Sequence, residues 1–193
     1  MDKLPRVPAD APTSAAQRRL WILQKLEPES SAQNRPLGIR LTGKLDLKSL
    51  EASLNEIVRR HEALRTIFPE RDGEPVQQVM PHLSLSMDMR FLDTLPIDTR
   101  EPEAERIAVE EANKPFDLIR GPLIRAMLLR MTREEHLLLI LMHHIVFDGW
   151  SENVFIHELQ ALYSAFVEGK ASPLPELPLQ YADFALWQNQ RLK

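Results

Sequence analysis

Residues 136–151 read HLLLILMHHIVFDGWS, and this stretch decides the fold class. From Leu137 to Met142 every position is apolar, not every second one. A strand of that composition has to be covered on both faces and so belongs in the middle of a sheet. Asp148-Gly149 ends the strand and opens a helix in which Phe155, Leu159, Leu162, Tyr163 and Phe166 fall on one stripe, with Gly169 as its stop. Upstream, Leu123 to Met131 is a second strand, joined to the first by the polar turn Thr132-Arg133-Glu134-Glu135.

Earlier in the chain the same alternation of helix and strand continues. Ser14 followed by Gln17 has the form of a capping box and opens a helix carrying Leu20, Trp21 and Leu23. Leu37, Ile39 and Leu41 alternate with polar neighbours, as in a half-buried strand. Asp46 caps a helix with Leu47, Leu50, Leu54, Ile57 and Val58 on one face. Glu70-Arg71-Asp72-Gly73 is a hairpin signal between Leu64–Phe68 and Pro75–Met80. Leu83 to Phe91 alternates strictly and predicts a strand, and a charged helix follows over Glu103 to Asn113. Pro5, Pro8 and Pro12 mark an extended leading segment, and Pro173, Pro175 and Pro178 a linker before a last helix, Tyr181 to Leu192. The pattern is a mixed α/β layer fold with a largely antiparallel sheet.

The composition narrows function by exclusion. With 193 residues, 44% hydrophobic and 27% charged, the chain is an ordinary globular one. A net charge of −4 with interspersed signs leaves no footprint for nucleic acid. An apolar run of six residues is far short of a membrane span, and MDKLPRVPAD lacks the core of a signal peptide, so the expected compartment is the cytoplasm. Without cysteine there is no thiolate nucleophile and no thiolate metal site. HExxH, GxSxG, GxGxxG and phosphate-loop patterns are all missing, and no metal site is expected.

The chemistry therefore falls on His143, His144, Asp148 and Gly149. Side chains alternate along a strand, so the two histidines point in opposite directions and only one faces a given cavity. Gly149 permits a tight turn or close backbone approach, and the adjacent helix N-terminus suits a developing oxyanion. The plainer reading makes Asp148 a helix cap and Ser151 a residue that caps the same helix.

Four segments together resemble the N-terminal half of a condensation domain of nonribosomal peptide synthetases. They are Ser14–Leu23 (SAAQRRLWIL), Arg60–Phe68 (RHEALRTIF), Met142–Ser151 (MHHIVFDGWS) and Tyr181–Gln188 (YADFALWQ). Gln33 before Asn34 departs from the Tyr-Asn of many relatives, and the family's later motifs are absent from these residues. The resemblance implies one lobe of a two-lobed domain with the chloramphenicol acetyltransferase-like fold, a two-layer α/β sandwich with a mixed, largely antiparallel sheet. Residues 1–172 would form the N-terminal lobe and 173–193 the proline-rich linker and the start of a helix leading to the C-terminal lobe.

The activity implied is amide-bond formation: the α-amine of an acceptor aminoacyl thioester attacks a donor acyl or peptidyl thioester. Both substrates ride on phosphopantetheine arms of carrier proteins, which with the C-terminal lobe and an adenylation domain are the expected partners; no bound cofactor is expected. By resemblance His144 is the positioning group or base, and the Gly149 N–H contacts the thioester oxygen. His143 is structural, and Asp148 pairs with an arginine, Arg65 or Arg19. Trp150, Ser151 and Trp21 become candidates for the tunnel wall, and Phe184 and Trp187 for an apolar docking patch. Trp150 and the first motif point to the subtype joining two L-configured units. Two alternatives stand beside this: a half-domain that binds or scaffolds without turnover, and a coenzyme A-dependent acyltransferase.

Overall fold

The computed structural model describes residues 10–191; the Pro5–Pro8 part of the leading segment and Leu192 lie outside them. A four-stranded sheet carries the molecule. Its strands are β2 (Asn34–Thr42), β6 (Met87–Phe91), β7 (Ile124–Arg130) and β8 (Glu135–His143), in the order β2-β8-β7-β6. β8 runs antiparallel to both neighbours, pairing Asn34 with His143 and Ile124 with Met142, while β6 is parallel to β7. The apolar run from Leu137 thus occupies an interior strand, as its composition requires.

The pleat of β8 divides the core. Leu138, Ile140 and Met142 pack with residues of α2 (Leu47–Arg60) and α4 (Gly149–Val167). Leu139 and Leu141 pack on the opposite face with Trp21 of α1 (Ala15–Leu26), Phe116 and Ala104 of α3 (Ile97–Ala112). Asp46 caps α2 by accepting from the Ser49 N–H at 2.7 Å. α4 ends in a Schellman motif: Gly169 is left-handed (φ 69°), its N–H reaches Phe166 O, and the Lys170 N–H reaches Ala165 O.

A smaller antiparallel sheet joins β1 (Asp10–Pro12), β3 (Thr66–Ile67), β4 (Glu70–Arg71) and β5 (Glu74–Val79). The hairpin at Asp72-Gly73 has both central residues at positive φ, 52° and 84°, the geometry that such a two-residue turn demands.

Two elements differ from expectation. Regular pairing of the strand predicted over Leu83–Phe91 begins only at Met87, because Asn55 of α2 takes over the Leu85 backbone: Leu85 N–H donates to its Oδ1 and its Nδ2 donates to Leu85 O. The charged helix starts at Ile97, before Pro102. Its first turn is anchored by the Arg100 guanidinium, which donates to the carbonyls of Leu95, Asp93 and Met131.

The two ends of the described chain interlock. The Ser14 capping box is complete, with Gln17 N–H on Ser14 Oγ and Ser14 N–H on Gln17 Oε1. α5 (Tyr181–Arg191) closes over it: Tyr181 Oη lies 3.0 Å from Ser14 Oγ, Gln188 Oε1 accepts from Ala15 N–H, and Asn189 Nδ2 donates to Thr13 O. Among the described residues no helix is long and apolar enough to cross a membrane.

Ile140 is fully buried in the central strand. Ile140→Ala is expected to destabilise the fold by about 2–5 kcal/mol, read from urea unfolding.

Candidate active site

The site is built where β8 ends. The backbone keeps its sheet partners for one more residue on each side: His143 N–H donates to Leu123 O and His144 N–H to Gln33 O. A tight turn follows, closed by Val146 N–H on His143 O, and α4 begins at Gly149.

The two imidazoles part as the pleat requires. His143 is fully buried on the α1 side, edge-on to the Phe116 ring at 6.2 Å. Its Nδ1 accepts from Ile145 N–H (3.1 Å), so the proton sits on Nε2, 3.3 Å from Gln24 Oε1. Burial, with His144 and Arg35 nearby, pushes its pKa down to about 4. The ring is neutral across the physiological range.

His144 lines an open hollow of about 430 Å³. Its Nδ1 lies 2.8 Å from Phe147 O. A carbonyl only accepts, so Nδ1 carries the proton and Nε2 keeps a free lone pair. The same hollow is lined by Gln33, Arg35, Arg19, Leu20, Leu23 and Asp148, and by Val146, Phe147, Ser151 and Tyr181. Those four last residues also border a second hollow of about 270 Å³, whose wall is mainly apolar and includes Ile57, Trp150, Val154, Leu177 and Leu179.

Asp148 takes the plainer of its two readings. Its Oδ1 accepts from the Ser151 N–H at 2.9 Å and Oγ at 2.7 Å, making it the N-cap of α4 and holding its carboxyl below the usual range. The expected arginine pairing is absent among the described residues. Arg65 is held by Met80 O and Glu62, and Arg19 lines the hollow without an ion pair. With both Ser151 groups on Asp148 Oδ1, the aspartate is already bonded within its own turn. Ser151 itself is a donor to the cap, three residues into the helix, and not the cap.

Trp21 stands apart from the hollow that contains His144. It lies on the opposite face of the sheet from the α2–α4 core, its Nε1–H on Phe68 O and Lys25 over its ring, and it borders a separate hollow with Phe116 and Leu118. The α1 residues that face His144 are Ala16, Gln17, Arg19, Leu20 and Leu23. Trp150 is 82% exposed, on the rim of the second hollow. Gly149 is not in the left-handed region, and a Cβ there would meet nothing within 4 Å. Its N–H, in the first turn of α4, carries no hydrogen bond among the described residues.

Sequence reasoning missed one buried cluster. Arg60 and Glu158 are both buried and paired at 3.3 Å; His61 Nε2 lies 2.8 Å from the same carboxylate, and Arg60 also donates to Pro175 O. Burial raises the Glu158 pKa, but hydrogen bonds from Arg60 and His61 outweigh it and hold the group below its usual value. The signal was legible: Glu158 sits between Phe155 and Leu159 on the buried stripe of α4, and a carboxylate there needs a cation.

Residues 8–193 match the family described as Condensation domain. A linear gramicidin synthase of Brevibacillus parabrevis is 46% identical over 185 residues, which cover 96% of this chain and 4% of that protein. Phosphinothricin tripeptide synthetase PhsC of Streptomyces viridochromogenes is 41% identical over 192 residues, covering 98% and 18%. The chain thus spans a small part of the curated relatives it matches. Among solved structures, the X-domain in its complex with OxyB from teicoplanin biosynthesis has a TM-score of 0.86 at 30% identity, over 98% of this chain and 40% of that one. The starter condensation domain of rhizomide synthetase shares the fold, with a TM-score of 0.86 at 22% identity over 96% and 44%.

His143 sets an acid limit on stability. The unfolded chain takes up its proton near pH 6.5, whereas the folded chain resists until about 4, so stability falls with pH inside that window. Between pH 6.5 and 5 the loss from His143 is about 1.5 kcal/mol, in the same direction as His136, which burial also lowers. Urea midpoints at the two pH values measure the loss, and a flat profile contradicts it.

Proposed function

The chain belongs to the condensation-domain family, and from that premise we propose that it supplies the histidine lobe of an amide-forming enzyme of nonribosomal peptide synthesis. The observation that carries the reading is the tautomer of His144: Nδ1–H is committed to Phe147 O, and the bare Nε2 belongs to a ring lining an open hollow.

The chemistry asks for placement first. A thioester is already activated, so holding the acceptor amine against the donor carbonyl supplies much of the acceleration. As the amine nitrogen bonds to that carbon, the C–O π pair moves to oxygen; the Gly149 N–H at the positive end of α4 is the donor suited to that charge. His144 Nε2 accepts a hydrogen bond from the amine and then its proton. Collapse of the adduct breaks the C–S bond, leaving the amide on the acceptor and a thiolate on the donor arm, which takes up a proton. Asp148 works at one remove, by fixing the first turn of α4 through Ser151. Arg19 then lines the hollow and Arg65 is held by Met80 O and Glu62, neither of them paired with Asp148 among the described residues. Trp150 and Ser151 form parts of the wall, and residues 173–193 lead from this lobe towards the other.

The acceptor and donor carriers, with their phosphopantetheine arms, remain the partners of this reading. One further observation bears on the isolated chain. It matches 40–44% of the solved chains, and Arg19, Leu23 and Trp150 stand exposed around the hollows. Enclosure of both substrates therefore calls for the second lobe, and residues 1–193 alone are expected to bind without efficient turnover.

In the two-lobed protein, His144→Ala is expected to lower amide formation between loaded carriers by about 10²–10⁴-fold with thermal stability retained. Product formation at the unaltered rate removes His144 from the mechanism. Rapid condensation by residues 1–193 alone removes the requirement for the second lobe.

A further inference from the structure

α1 touches the site twice: once through the hollow, and once from behind, through Gln24. This side chain is buried, and all three of its polar contacts are made. Nε2 donates to Pro28 O at 2.9 Å and Ser30 O at 3.2 Å, and both partners are carbonyls, so the amide nitrogen has to lie on that side. Oε1 is thereby turned to His143, where it can only accept.

An acceptor at that point dictates the rest. The Nε2–H of His143 is drawn to Gln24, Nδ1 is left bare, and the bare nitrogen receives Ile145 N–H. Ile145 is the first residue beyond His144, in the turn whose Phe147 carbonyl fixes His144 Nδ1. From these contacts we propose that Gln24 is a positioning residue for His144: by fixing the tautomer of His143 it locks the 143–147 turn in the form that presents the bare Nε2 of His144. The role rests on the condensation reading for its effect on rate, though not for its effect on the rings.

The electrostatics around His143 favour a neutral ring in this relay. Burial disfavours a charge on the ring, and Arg35 on β2 opposes one as well. α1 presents the uncharged Gln24, and the segment before β7 presents the Phe116 ring at right angles to the imidazole, with Arg125 stacked on that ring at 3.9 Å. Nothing here supports an imidazolium, whose Nδ1–H would collide with Ile145 N–H.

Two substitutions separate this role from a plain latch on the 28–30 loop. Gln24→Glu keeps an acceptor for His143 but loses the donors to Pro28 O and Ser30 O; Gln24→Met keeps the volume and loses all three bonds. At pH 8, in the two-lobed protein, Gln24→Met is expected to lower kcat for amide formation about tenfold with carrier KM unchanged, and Gln24→Glu to stay within about threefold. The latch predicts the reverse order, because a carboxylate facing two carbonyls is worse than a thioether there. Histidine ¹⁵N spectra give the second readout. His144 in Gln24→Met should show a mixture of tautomers, while the parent and Gln24→Glu keep Nδ1–H. An unchanged His144 signal in folded Gln24→Met overturns the relay, whatever the rates. If the parent protein forms no amide while the spectra behave as expected, the relay stands and the reaction assignment falls.

Discussion

The structure depends on one constraint: a strand without water on either side leaves each polar side chain at its end a single choice of face. On β8 the core takes alternate residues from Leu138 onwards to opposite layers, and the alternation does not stop when the apolar run does. It hands His143 to the dry side behind α1 and His144 to the wet side between α1 and α4. The same imidazole chemistry then divides into two. One ring is desolvated, neutral and bonded at both nitrogens; its neighbour is bonded at one nitrogen and free at the other. No charge or metal is needed to make the difference, only the pleat.

Much of this was legible from residue types. The all-apolar run placed β8 centrally, the capping box and Asp46 placed two helix starts, and the adjacency of two histidines at a strand exit forecast their divergence. What failed to read through were the choices among partners. Asp148 had a cap and an arginine within conceivable reach, and the local donors of Ser151 took it because a bond inside one turn costs little chain entropy. Trp21 shares a helix with Leu20 and Leu23, but the turn of α1 between them gives Trp21 to one hollow and leaves Leu20 and Leu23 beside the other. The shortening of β6 followed from Asn55, a helix residue that satisfies the Leu85 backbone from 30 positions away. Such a substitution of side chain for strand leaves no periodic trace.

The Arg60–Glu158 pair shows how a buried charge organises its surroundings. It joins α2 to α4, and Arg60 also reaches the 174–175 carbonyls, while Gln180 returns a bond to Arg60 O. Desolvation makes such a pair a poor source of stability for its size, but it has few alternative geometries. The proline-rich segment is thereby pinned beside the apolar hollow, and its Leu177 and Leu179 become part of that wall.

The bonds between α5 and the first turn of α1 carry a mechanical consequence. Gln188 and Tyr181 grip the very start of α1, and the side of α1 that follows forms one bank of the hollow containing His144. A tug on the final helix is therefore felt at Ala15 and at β1, against which α5 also packs, and not directly in the four-stranded sheet. The last helix thus holds that bank of the cleft by its starting turn, and it makes no hydrogen bond to the four-stranded sheet among the described residues.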